Sequence, residues 1–200
     1  MGLGSNRRGG ALNQFIVIEG LDATGKSTLV EKLCSDLSAD LLSCPPIITS
    51  KQIDLRSHFD NCDAVQRRAF YRFANLLASE QAKEALQFND VIMDRYWTST
   101  AAFSAMDDGF EHDVPFGEYP PEIMPPHILI LLIVNEENRL LRMSGRGEAE
   151  TAEEAKLAQD SEKRQQVLAN YKTFDPYIID TSNLSPGQVL AAALKIIRGE

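Results

Sequence analysis

The first residues that could carry chemistry lie near the N-terminus, between Gly20 and Ser27. This segment reads Gly-Leu-Asp-Ala-Thr-Gly-Lys-Ser and matches the pattern G-x-x-x-x-G-K-[S/T] at every fixed position. Such a loop turns its backbone N–H groups towards a phosphate, and the helix that follows adds partial positive charge. The segment therefore predicts a nucleotide-phosphate site, with Lys26 at the β- and γ-phosphates and the Ser27 hydroxyl on Mg²⁺. The residues of this segment predicted to bind ATP are Gly20, Asp22, Ala23, Thr24, Gly25, Lys26, Ser27 and Thr28.

Asp94 and Arg95 are the second candidate group. They follow the apolar run Val91–Met93, at the tip of a predicted strand. A lone aspartate there is more often a turn residue or a helix cap. Because a phosphate loop is already present, we instead expect Asp94 near Mg²⁺ and the transferring phosphate. A guanidinium holds phosphate oxygens with a two-pronged fork, so Arg95 is predicted to bridge the acceptor phosphate.

Three arginines, Arg139, Arg142 and Arg146, lie before and within a Gly-Arg-Gly break at residues 145–147. A charged run is usually a solvated helix face, and for Arg139 we leave that interpretation open. Arg142 and Arg146 are predicted to belong to a lid at about residues 143–156. Lid arginines can neutralise charge in the transition state of phosphoryl transfer. The predicted catalytic residues are thus Lys26, Asp94, Arg95, Arg142 and Arg146.

Apolar runs alternate with longer helical stretches along the chain. The segments 15–18, 41–42, 91–93, 128–134 and 177–180 predict strands. Helices are expected at about 26–37 and 64–88, and a highly charged helical stretch at 148–172. Asn135 and Ser185 are expected to cap later helices. This order predicts an α/β fold, a five-stranded doubly wound parallel sheet that binds ligands beyond its strand C-termini. We expect one domain at 15–200 after a flexible leader at 1–14.

Composition narrows the choice of partner. The formal net charge is -9, from 20 basic and 29 acidic residues, whereas nucleic-acid binding favours a basic excess. The longest apolar run has seven residues, too few to span a bilayer. We therefore expect small-molecule nucleotides as partners, with no nucleic acid and no membrane. The three cysteines show no metal-ligand spacing and are expected to be reduced.

Two strings carry a resemblance to a known family. Phe15–Asp22 reads F-I-V-I-E-G-L-D, and Asp94–Phe103 matches D-R-Y-x-x-S-x-x-A-F. With the basic lid and the Ile179-Asp180 ending, the chain resembles the thymidylate kinase family of P-loop nucleoside monophosphate kinases over nearly all its length after residue 14. The strings G-L-D-A-T-G-K, R-R-A-F-Y, D-R-Y-W and G-R-G are most similar to its mitochondrial UMP/CMP kinase branch.

This resemblance implies further roles. Asp22 would lie near the acceptor sugar, Phe70 would stack on the acceptor base, and Asn183 and Leu184 would lie beside adenine. The implied acceptor-binding residues are Asp22, Arg56, Phe70, Arg95 and Tyr96, where Tyr96 could equally be a core residue. ATP as phosphate donor, Mg²⁺, a homodimer and a mitochondrial location also follow from the resemblance, with a cytoplasmic location as the alternative.

Two departures from the family pattern bear on the substrate. Ala23 stands where some members carry an arginine in the loop, which favours lid arginines. Ala74 stands four residues after Phe70, where thymidylate kinases place an arginine that reads thymine, and Arg72 does not obviously replace it. Losing that donor should redirect selectivity.

We therefore expect a kinase for UMP, CMP, dUMP or dCMP. A dTMP kinase is the first alternative, and a P-loop nucleotide-binding switch without kinase activity is the second. The chain lacks the N-K-x-D string of a guanine site.

Overall fold

The computed structural model describes residues 12–46, 52–104, 107, 113–145, 157 and 159–200. In chain order, its elements are β1 (Phe15–Gly20), α1 (Lys26–Leu37), β2 (Asp40–Ser43), α2 (Gln52–Asp60), α3 (Ala64–Ala85), β3 (Val91–Asp94), α4 (Trp97–Phe103), β4 (Ile128–Ile133), α5 (Glu136–Ser144), α6 (Ser161–Lys172), β5 (Tyr177–Asp180) and α7 (Pro186–Arg198).

The five strands form one sheet in the order β2-β3-β1-β4-β5, and every pairing is parallel. β1 lies at the centre, and all six of its residues are buried. Its end is in register with two neighbours, because Ile18 faces Asp94 on β3 and Gly20 faces Leu132 on β4. The phosphate loop and Asp94 therefore leave the sheet at the same edge, as the predicted α/β fold requires.

Helices cover both faces of the sheet, and alternate strand residues contact different layers. Ile16 and Ile18 pack with α1 and α7, whereas Phe15 and Val17 pack with α3 and the start of α4. The continuous apolar strand runs in the sequence arise from this two-sided burial.

The predicted bounds of α1 and the predicted caps of α5 and α7 are confirmed. α1 spans residues 26–37 as expected, and the Asn135 side chain caps α5 by accepting from Asn138 N–H. Ser185 and Gln188 form a reciprocal capping box at the start of α7. α3 ends at Ala85 rather than near residue 88, because the chain turns over residues 86–89. α2 and α4 were not predicted.

Three further predictions concern the leader, the lid and the absence of a membrane span. Residues 1–11 of the expected leader and most of the expected lid, including Arg146, lie outside the described residues. Asn13 and Gln14 are hydrogen-bonded to Leu86 O and to the Asp90 carboxylate. None of the helices among the described residues is long and apolar enough to cross a membrane.

Arg139 is not on a solvated face. Only 4% of it is exposed, and its guanidinium donates to both carboxylate oxygens of Glu136 at 2.9 Å. The interpretation of Arg139 as a surface residue is therefore wrong: the ion pair allows the guanidinium to be buried.

Candidate active site

The loop between β1 and α1 has a backbone that only certain residues tolerate. Gly20 adopts φ +144°, and a Cβ added there would collide with the carbonyl oxygen of Leu132 on β4. Gly25 adopts φ +95° immediately before α1. Ala23 has φ 61°, which is uncommon for a residue with a Cβ. The two glycines of the motif are thus required by geometry, and Ala23 is held in a strained conformation.

Hydrogen bonds from α5 and from the residue after β5 hold this strained loop in place. The Thr181 hydroxyl, just after β5, donates to Thr24 O at 3.0 Å. Arg142 in the last turn of α5 donates to Ala23 O at 3.1 Å and to Thr181 O at 2.6 Å. Arg142 therefore binds one carbonyl oxygen of the loop and one of the segment after β5, and its catalytic role stays a prediction.

Lys26 opens α1 and is almost fully buried. Its Nζ donates to Leu21 O at 3.1 Å and lies 3.9 Å from the Asp22 carboxylate. Burial and the nearby Arg95 lower its pKa to about 8, against the opposing effect of Asp22, Asp94 and Glu19. A buried ammonium with few partners gains much from an added anion, so the position suits the phosphates predicted for it.

Asp94 and Ser27 offer the kind of oxygen donors that Mg²⁺ takes. Asp94 Oδ1 is buried and has no hydrogen-bond partner among the described residues. The Ser27 side chain is exposed at the start of α1. Mg²⁺ takes oxygen ligands, usually one or two from protein with the rest from water and phosphate. The part of the chain that the structure describes holds no group of three or more His, Cys, Asp or Glu side chains that could hold a metal ion, so water and phosphate oxygens would supply the other ligands.

Arg95 follows β3 directly and reaches across to the phosphate loop. Its Nη2 donates to Asp22 Oδ1 at 2.7 Å, and its guanidinium lies 5.7 Å from the centre of the Phe103 ring. Its φ of 64° is left-handed, so the backbone must be held there. Arg95 and Asp22, separate predictions from sequence, are thus in direct contact.

Glu19 holds the backbone that follows Arg95, and it was not among the functional residues predicted from the sequence. Its fully buried carboxylate accepts from Tyr96 N–H at 2.8 Å, from Ser99 N–H at 3.1 Å, from the Ser99 hydroxyl at 2.6 Å and from the Thr98 hydroxyl. Burial raises its pKa, which these hydrogen bonds and Arg95 oppose. A glutamate inside an otherwise apolar strand run was the signal that could have identified it.

A pocket opens beside Arg95, between the phosphate loop and helices α2, α3 and α4. Its lining residues are Asp22, Cys44, Arg56, Arg68, Tyr71, Arg95, Tyr96, Ser99, Thr100 and Phe103. Four of the five residues implied for the acceptor, namely Asp22, Arg56, Arg95 and Tyr96, line it. Tyr96 also packs against Phe15 in the core, so both interpretations of Tyr96 describe its position.

Phe70 is the acceptor residue that the structure does not place in this lining. Its ring stacks on Phe59 of α2, with centroids 4.7 Å apart and an interplanar angle of 9°. The next residue on α3, Tyr71, lines the pocket and donates to Asp60 at 2.7 Å. Stacking of Phe70 on a base stays a prediction.

Asn183 and Leu184 lie in the loop between β5 and α7, two and three residues after Thr181. Because Thr181 bonds to the phosphate loop, this loop adjoins the ATP-binding segment from the side of β5. Their predicted position beside adenine is compatible with this placement and stays a prediction.

The comparisons with known proteins agree with this arrangement. A family model described as thymidylate kinase matches residues 18–191. A human protein named "UMP-CMP kinase 2, mitochondrial" is 37% identical over 195 residues, which are 92% of this chain and 42% of that protein. The chain thus spans less than half the length of this relative. A probable thymidylate kinase of Methanococcus aeolicus is 27% identical, covering 92% of this chain and 95% of its own.

Solved structures share the fold. The thymidylate kinase of Candida albicans matches with a TM-score of 0.71 at 21% identity, over 94% of this chain and 92% of that one. The thymidylate kinase of Ehrlichia chaffeensis matches with a TM-score of 0.61 at 19% identity, over 93% and 98%. Since the family model covers most of the sequence, from the end of β1 into α7, the chain belongs to the thymidylate kinase family of nucleoside monophosphate kinases.

Proposed function

We propose that this chain transfers the γ-phosphate of ATP to a pyrimidine nucleoside monophosphate, namely UMP, CMP or a deoxy form, and yields the diphosphate. The observation that carries the proposal is the contact between Arg95 and Asp22. It joins the phosphate loop to the neighbouring pocket, so one site would hold the donor phosphates and the other the acceptor.

The chemistry demands positioning and charge neutralisation more than covalent catalysis. Lys26 would hold the β- and γ-phosphates, and Arg95 would contact the acceptor phosphate and the transferring group. Asp94 and Ser27 would hold Mg²⁺, which neutralises charge on the donor phosphates. Arg142 and Arg146 remain the candidates for lid arginines.

Three observations favour UMP or CMP over dTMP. Ala74 is buried and has no polar side chain with which to read a base. Arg72 is engaged elsewhere, donating to Glu122 at 2.8 Å and to Asp113. The human relative is named a UMP-CMP kinase, although the archaeal relatives are named probable thymidylate kinases. A dTMP kinase is therefore the alternative, and the name of the human relative also supports a mitochondrial location.

An acceptor panel tests the proposal. ADP formation from MgATP would be measured with UMP, CMP, dUMP, dCMP and dTMP, and Lys26→Met would serve as the inactive control. We expect turnover with UMP or CMP and loss of it in the variant. A wide margin for dTMP would establish the alternative. If none of the five acceptors yields ADP, the proposed kinase activity is wrong and the nucleotide-binding switch remains. The lid arginines have no purpose in such a switch.

A further inference from the structure

Three arginines line the pocket, and the side chain of Arg68 is the least exposed of the three. Arg68 of α3 is 8% exposed. Its Nη1 donates to Thr100 O on α4 at 2.7 Å, and its Nε and Nη2 contact the Asp107 carboxylate. The Asp107 side chain is itself almost fully buried. Arg68 is thus held between Thr100 of α4 and the Asp107 carboxylate, which Arg67 also contacts.

The other two arginines are placed for phosphate. Arg95 lies at the phosphate loop through its contact with Asp22. Arg56 has a side chain that is half exposed, and its nearest carboxylate, that of Asp60, is 3.7 Å away. A half-exposed cation suits a charged phosphate, whereas a buried donor held by the protein suits the edge of a planar base.

The wall around Arg68 is organised for hydrogen bonding. Asn75 is fully buried and donates to the Thr100 hydroxyl at 2.8 Å and to Tyr71 O at 2.7 Å, while the Cys44 thiol donates to Asn75 Oδ1. Thr100, Tyr71 and Cys44 also line the pocket. Polar side chains whose partners are all defined hold their positions, so this wall can read a ligand without reorganising.

We propose that Arg68, positioned by Asp107, reads the acceptor base by donating to a ring carbonyl oxygen of the pyrimidine. A guanidinium has five N–H donors and no acceptor, so its partner must be an acceptor atom such as the C2 or C4 oxygen. The inference rests on the proposed function and deepens it: Arg68, two residues before Phe70, takes over the task for which Ala74 has no side chain.

Kinetics with Arg68→Met test the inference against Arg72→Met, a matched change on the same helix whose guanidinium contacts Glu122 and Asp113 instead. We expect KM for UMP or CMP to rise about 10- to 100-fold in Arg68→Met, the size of a lost charged hydrogen bond. KM for ATP should stay within about twofold, and Arg72→Met should resemble the wild type. A rise for UMP alone would identify the C4 oxygen, and an equal rise for UMP and CMP the C2 oxygen.

Ribose 5-phosphate lacks a base, so its binding distinguishes the loss of a contact to the base from a general distortion of the pocket. Its inhibition constant should be the same in the wild type and in Arg68→Met. If that constant rises in proportion to KM for UMP, or if KM for UMP is unchanged, the inference is wrong. Because Asp107 also contacts Arg67, its carboxylate keeps a cationic partner when Arg68 is replaced, and Arg68→Leu provides a second variant with the same expectations. Failure of the wild type to phosphorylate any pyrimidine nucleotide would instead overturn the proposed function.

Discussion

Glu19 connects the two halves of the site at the scale of a single residue. It is the penultimate residue of the central strand β1, and its carboxylate binds the backbone and hydroxyl groups that follow Arg95. The left-handed backbone of Arg95 needs such an external restraint, because φ 64° is unfavourable for arginine by itself. Burying a carboxylate without a close cationic partner is costly, and here several donors offset that cost.

Glu19→Gln keeps the size of the side chain but replaces one acceptor oxygen with a donor. Since the Glu19 carboxylate faces donors, the amide should leave one of them unpaired and release the Arg95 backbone. We expect kcat for the acceptor reaction to fall about 10- to 100-fold. Steady-state kinetics with saturating ATP measure this, and an unchanged kcat would show that the Arg95 backbone does not depend on Glu19.

The same variant makes a prediction about pH. Burial raises the pKa of Glu19 above its ordinary value of 4.5. The folded state therefore keeps this proton to higher pH than the unfolded state, and the free energy of unfolding contributed by Glu19 falls as pH rises through the raised pKa. Glutamine cannot ionise. The stability of the wild type relative to Glu19→Gln should thus decline as pH rises above 4.5, as measured by urea denaturation, whereas a constant difference would contradict the raised pKa.

At the scale of elements, the sequence predicted the helices and strands whose flanking residues and apolar spacing match the structure. α1 has a glycine before it and apolar residues at helical spacing, and all five strands are short apolar runs between turns. α4 was not predicted because it has only seven residues and its N-cap, Tyr96, makes no side-chain capping bond. The Tyr96 N–H instead binds Glu19, 77 residues earlier in the chain. The contacts among Asp22, Arg68, Arg95 and Asp107 likewise join distant elements, so spacing could not reveal them.

α5 offers a test of what a predicted lid arginine does. Arg142 binds the carbonyl oxygens of Ala23 and Thr181, so the helix supports the loop from its side. If this support is its main task, Arg142→Met should raise KM for ATP about tenfold and lower kcat by less than that. A catalytic lid arginine would instead lower kcat by about 10³-fold or more. Leu141→Ala, an exposed neighbour on the same helix, should change neither constant.

At the scale of the whole molecule, the candidate site residues lie at one edge of the sheet. Because all five strands are parallel, the residues that end β1, β3 and β5 leave the sheet on the same side, where Glu19, Asp94 and Thr181 lie within reach of the phosphate loop. The chain carries a net charge of -9, yet Lys26, Arg56, Arg68 and Arg95 gather at this edge. A cationic pocket on an acidic molecule favours small phosphate esters over polyanions.

Ligand-linked stability tests this organisation on the intact chain. A ligand present at 100 times its dissociation constant stabilises the folded state by about 2.7 kcal/mol, so ATP should raise Tm. With Asp94 Oδ1 buried and unpartnered among the described residues, adding Mg²⁺ should raise Tm of the ATP complex further in the wild type. Asp94→Asn should abolish most of that second increment while keeping the first. Asp90→Asn, at the opposite end of the same strand, should keep both increments, because Asp90 contacts Gln14 N–H rather than the phosphate edge. An equal Mg²⁺ increment in Asp94→Asn and in the wild type would exclude Asp94 as a ligand of the metal.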